Sequence, residues 1–167
     1  MNAASPAHAA GLEDQSPVAL LIRLLKLGSL VNAPMKEGVC DSGGITQIEL
    51  KVMMALAGEG ALAGHDLVGI MGVPAMNVSR AIATLRDRGW IEDAADPGNR
   101  RRRPVRLSAA GVEKYASLAP SLDTVAEALL GTLNAAQRRQ FAANADKLIA
   151  AMSDWLASHH EGLRLDE

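Results

Sequence analysis

The amino-acid sequence predicts a mainly α fold carrying a small two- or three-stranded β element, and three observations lead there. Aromatic residues make up 2% of the 167 residues while Ala, Leu, Gly and Met abound. That balance favours close helix packing over a sandwich of sheets stacked on rings. Helix-start signals recur down the chain, each followed by apolar residues at helical spacing. Two short apolar runs flank a Pro-Gly turn and a run of arginines, which is the pattern of a hairpin with a basic loop. A chain of this length is read as a tail without structure over 1–15 and a single unit over 16–167.

In chain order, Ser16 and Pro17 open the first helix, because serine caps an orphan N–H and proline suits the first helical position. This helix is expected from Pro17 to about Val31. Its residues Val18, Leu20, Leu21, Ile22, Leu24, Leu25 and Leu27 leave few polar positions around the axis, so it needs burial on more than one side, which a partner subunit supplies. Asn32 to Gly44 holds Pro34, Gly38, Gly43 and Gly44 and reads as a loop. Thr46 with Glu49 forms a capping box for a helix ending near Ala57. A shorter helix, Gly64 to Met71, stops at Gly72, and another runs from about Ala75 to Arg88. Two short helices across a tight glycine turn make a helix-turn-helix. Trp90 to Ala94 and Pro104 to Leu107 are the hairpin strands, which form a wing beside it. Ser108 caps a helix to about Leu130, bent at Pro120, and Asn134 with Gln137 opens a last helix that frays beyond Ser158. The expected divisions are terminal dimerisation helices over 16–31 and 109–158 and a winged helix-turn-helix lobe over 45–108.

The formal net charge of −2 alone argues against a polyanionic partner, but its distribution matters more. Arg80 to Arg106 holds eight of the 17 basic and four of the 19 acidic residues, so this stretch carries +4 and the remainder −6. Arg100, Arg101, Arg102 and Arg103, joined by Arg106, form a cationic loop with no acid among them, suited to a narrow, strongly negative minor groove. In the second helix of the pair, Val78, Ala81, Ile82 and Leu85 share one stripe while Asn77, Arg80 and Thr84 fall elsewhere. Asparagine can pair with adenine, arginine with guanine, and Ser79 or Thr84 with bases or phosphates in the major groove. The expected DNA contacts are therefore Asn77, Ser79, Arg80, Thr84, Arg100, Arg101, Arg102 and Arg103, with double-stranded DNA as partner.

The ordered set Met71-Gly72-Val73, Val78-Ser79-Arg80, Leu85-Arg86-Asp87-Arg88-Gly89-Trp90-Ile91, Asp96-Pro97-Gly98-Asn99-Arg100-Arg101 and Val105-Arg106-Leu107-Ser108-Ala109-Ala110-Gly111 resembles the MarR family of bacterial regulators. The resemblance covers Ile45 to Gly111. It implies a homodimer whose first and last helices interlock, a palindromic operator, and a repressor released by a small aromatic or phenolic effector held between the dimerisation and DNA-binding regions. Pro74 and Ala75 depart from the family's usual Ser and polar residue, Thr84 from a common Arg, and Asn99 from a common Asp, so the base-reading pattern stays open.

Other classes find less support. The apolar stretch 18–31 is short for a bilayer and interrupted by Arg23 and Lys26, so no membrane partner is expected and the chain reads as cytoplasmic. Cys40 has no internal partner for a disulfide. A redox-responsive regulator using Cys40 is one alternative, which its acidic neighbours Glu37 and Asp41 disfavour by opposing the thiolate. A winged helix that docks a protein rather than DNA is another. His8, His65, His159 and His160 make no metal-ligand spacing, and no nucleophile-base set or phosphate loop stands out. We therefore expect no catalytic residues, no metal and no cofactor.

Overall fold

In the computed structural model, which describes residues 14–95 and 103–162, the chain folds as helices around one antiparallel hairpin. The helices are α1 (Pro17–Leu30), α2 (Asn32–Met35), a π turn (Lys36–Cys40), α3 (Asp41–Gly43), α4 (Gln47–Glu59), α5 (Gly64–Met71) and α6 (Ala75–Asp87). Strands β1 (Ile91–Asp93) and β2 (Val105–Leu107) follow, then α7 (Ala109–Ser117), α8 (Ala119–Leu130) and α9 (Ala135–Gly162).

Caps fall where local chemistry puts them. Ser16 accepts from the Ala19 N–H at 3.2 Å. Thr46 and Glu49 form a reciprocal box, at 3.2 Å and 2.8 Å, and Asn134 and Gln137 another, at 3.0 Å and 2.9 Å. The helix after Ser108 breaks at Leu118, with Pro120 in the first turn of α8, where its missing N–H has no intrahelical partner to lose.

Three expectations are corrected. Residues 32–43 are helical, so α1 through α3 form a nearly continuous run. Pro34 is tolerated because a break at Val31 puts it in a first turn. Gly38 and Gly43 are close-packing sites: a Cβ on either would collide with Val125 or Leu118. Only Gly44, with φ 61°, ends the run in the left-handed conformation. Second, Asp14 and Gln15, expected in an unstructured tail, form a turn in which Asp14 accepts from the Arg23 guanidinium; the rest of that tail lies outside the described residues. Third, α9 continues past Ser158 to Gly162.

Two cores result. The first joins α4, α5, α6 and the hairpin through Val52, Met53, Leu56, Leu67, Val78, Ala81, Leu85, Ile91 and Val105. The second joins the π turn to α4, α7 and α8 through Val39, Cys40, Ile45, Leu50, Leu118 and Val125. Trp90 packs against both. No residue of α1 is buried, and the 27-residue stretch Pro17–Gly43 is long and apolar enough, by length and composition, to cross a membrane.

Candidate nucleic-acid interface

The lobe presents α6 on a closed apolar core. Helix α5 ends at Gly72, whose φ of 61° lies in the left-handed region that glycine adopts without the penalty other L residues incur. Pro74 then precedes α6 with no side-chain cap. The stripe expected to face inward does so: Val78, Ala81 and Leu85 are buried, and Ile82 packs at their edge. Ser79 and Arg80 are exposed, whereas Asn77 and Thr84 are half-buried. The Thr84 hydroxyl donates to the Arg80 carbonyl at 3.1 Å, so only its lone pairs remain for an outside donor.

Strands β1 and β2 pair in the register Ile91 to Leu107, Glu92 to Arg106 and Asp93 to Val105. Val105 also exchanges both backbone bonds with Leu62, at 3.0 Å and 2.8 Å, which anchors the hairpin to the α4–α5 connection as a third, single-residue strand. Ala94 N–H donates to the Pro104 carbonyl at 2.8 Å, carrying the ladder one step toward the loop. Arg103 is exposed at its base. Arg100, Arg101 and Arg102 lie outside the described residues.

The structure divides the basic stretch into two kinds of arginine. Arg106 binds the Glu92 carboxylate across the hairpin at 2.7 Å, and Arg86 ties the end of α6 to β1 through Asp93 at 2.7 Å. Arg88 donates to the Gly44 carbonyl at 2.8 Å, lies 3.9 Å from the buried Glu49 carboxylate and stacks 5.0 Å from the centre of the Trp90 ring. These three are occupied inside the lobe or at its base. Arg80 and Arg103 stand out toward solvent. A charge count along the sequence cannot make this distinction, because each internal partner except Glu49 and Gly44 is acidic in the same stretch, and those two sit far upstream.

Trp90 is the joint between the lobe and the helical framework. Lys114 of α7 approaches its ring at 5.2 Å, opposite in sequence origin to Arg88. The Trp90 carbonyl accepts from the Ser108 N–H at 3.1 Å. Ser108 Oγ donates to the Gly89 carbonyl at 2.6 Å and accepts from the Gly111 N–H at 3.0 Å. A side chain at Gly111 would collide with the Trp90 carbonyl, so the Ser108-x-x-Gly111 pattern is a close-approach device.

Cys40 sits in the π turn rather than a loop and is 1% exposed. Burial first, then the Asp41 carboxylate, pushes its thiol up from the ordinary value. Among the described residues no three or more His, Cys, Asp or Glu side chains converge as a metal site. A cleft of about 520 Å³ lies between α8 and α9, with Leu130 and Phe141 in its wall and the Glu127–Arg138 ion pair beside them.

Residues 43–102 match the model of the MarR family. The HTH-type transcriptional repressor NicR of Pseudomonas putida is 26% identical over 106 residues, 64% of this chain and 66% of NicR, so the match spans just under two thirds of that relative's length. Among solved structures, a MarR-family transcriptional regulator from Silicibacter pomeroyi superposes with a TM-score of 0.69 at 20% identity, covering 84% of this chain and 94% of that one. BpsR of Bordetella bronchiseptica, whose DNA binding is regulated by 6-hydroxynicotinic acid, superposes with a TM-score of 0.63 at 24% identity, covering 80% of this chain and 98% of its own. The winged helix-turn-helix lobe is thus similar to the MarR family of transcriptional regulators, and the fold around it is the one those solved structures share.

Proposed function

We propose that the chain is a cytoplasmic repressor that binds a palindromic operator as a homodimer and is released by a small flat effector. The observation that carries DNA binding is the exposed face of α6, with Ser79 and Arg80 on it, beside a hairpin that has the exposed Arg103 at its base and Arg100 to Arg102 just before it in sequence. Arg100, Arg101, Arg102 and Arg103 contact phosphates and the minor groove, while Asn77, Ser79, Arg80 and Thr84 contact base edges and adjacent phosphates of the major groove. The described lobe spans most of 45–108, and the terminal helices over 16–31 and 109–158 join two copies.

Exposed apolar side chains on α1 and α9 support that second role. Val18, Leu21, Ile22 and Leu25 on the one, and Phe141, Leu148, Ile149 and Met152 on the other, are open to solvent in a single chain. Surfaces of this kind mark an association site. Their coverage by a second copy also accounts for an apolar α1 in a soluble protein. The name of NicR supports repression, and the effector of BpsR supports an aromatic or phenolic ligand. The ligand acts by binding better to a lobe spacing unsuited to adjacent major grooves. Regulation through Cys40 is disfavoured by its burial and raised thiol pKa.

Binding to random duplex DNA across a salt series tests the reading. Affinity falls steeply with salt, and Arg101→Ala or Arg102→Ala lowers the slope by about 1 per lost phosphate contact. Asn77→Ala or Arg80→Ala costs about 1 to 3 kcal/mol on the operator where the side chain makes a bidentate base contact, and less on random DNA. A wild type that ignores duplex DNA would instead support a module that docks protein.

A further inference from the structure

The outermost face of α6 differs from the one its polar residues alone define. At 3.6 residues per turn, Met76 stands almost diametrically opposite the buried stripe of Val78, Ala81 and Leu85. It is 61% exposed. Arg80 lies one turn further and Ala83 two turns further, both exposed, while Asn77 and Thr84 are half-buried at the flanks. The centre of the outward face is therefore an apolar side chain at the N-terminal end of the helix.

A single exposed methionine is ordinary on a protein surface. This one occupies the part of a recognition helix that reaches base edges, on a face whose remaining centre is a small alanine. Resting on the DNA-binding reading above, we propose that Met76 is a specificity-determining residue that reads thymine, packing its thioether against the C5-methyl group in the major groove. Thymine alone among the four bases presents a methyl there. Methionine is flexible enough to seat against it without a fixed hydrogen-bond geometry. The operator half-site then holds a thymine opposite Met76, close to the base that Arg80 contacts.

The test begins with duplexes selected from a random pool by the full-length protein. Each thymine of the selected site is then replaced singly by deoxyuridine, which lacks only the methyl. The wild type should lose about fourfold in affinity at one thymine per half-site, the factor expected for a single buried methyl. Met76→Ala should lose that discrimination and Met76→Leu should keep it, with thermal melting to check that both variants fold. Equal responses of wild type and Met76→Ala at every position would overturn the inference while leaving DNA binding intact. Failure of the wild type to bind any duplex would overturn the functional reading itself, and this inference with it.

Discussion

The winged lobe and the helices α1 and α9 both carry large apolar side chains but dispose of them in opposite ways. In the lobe, Met53, Leu67 and Leu85 are wholly buried by their own chain, whereas Leu25 of α1 is 63% exposed and Ile149 of α9 61% exposed. Helix α1 touches its own chain chiefly through α2, while α4, α5 and α6 contact one another and α4 reaches β2. One region is complete within a single chain; the other leaves apolar side chains uncovered, and in the proposed dimer a second copy covers them. Under the proposed function the DNA-reading groups would sit on the closed core, and the spacing between two such cores would be set by the region that association builds. Spacing is also the quantity on which an operator with two half-sites depends.

Substitutions can break this comparison, beginning with the largest effect. Leu85→Ala leaves a cavity in the closed core and should cost about 2 to 5 kcal/mol, read as a lowered melting temperature together with lost DNA binding. Gly111→Ala forces a methyl against the Trp90 carbonyl at the joint and should cost about 1 to 3 kcal/mol. Ser108→Ala removes the cap of α7 and the bond to Gly89, for about 1 kcal/mol. Leu25→Lys should change lobe stability by less than about 0.5 kcal/mol, as at any surface position. Its effect appears instead as a dimer dissociation constant raised at least about tenfold. If Leu25→Lys destabilised the fold as Leu85→Ala does, with association untouched, the two regions would not differ in kind.

The smallest effect concerns Cys40. Its folded pKa is raised by burial and by Asp41, so the folded chain keeps a proton that the unfolded chain loses above about pH 8.5. Stability is unaffected by this group below that pH and falls as pH rises toward the folded pKa. Chemical denaturation between neutral and alkaline pH should show the fall, and Cys40→Ala should reduce it. Native Cys40 should also alkylate slowly at neutral pH; rapid reaction would reopen redox regulation.

Much of the fold was legible in the sequence because its determinants are local. The Thr46–Glu49 and Asn134–Gln137 boxes, the stop at Gly72 and the stripe Val78, Ala81, Leu85 are all set by residues within two helical turns. The run 32–43 reads as a loop in sequence because glycine signals both a turn and a close approach, and only the distant partners Val125 and Leu118 distinguish them. The outward position of Met76 is local as well, since the helical period alone places it opposite the core. The occupation of Arg88 by Gly44 and Glu49 was invisible because those partners lie far upstream.

Sedimentation of the full-length protein at micromolar concentration tests most directly whether the terminal helices require a second copy. Each chain weighs 17.5 kDa. The account predicts a species of twice that mass, shifted toward the single-chain mass by Leu21→Lys combined with Leu25→Lys while the lobe stays folded. A well-folded wild-type monomer at that concentration would contradict it.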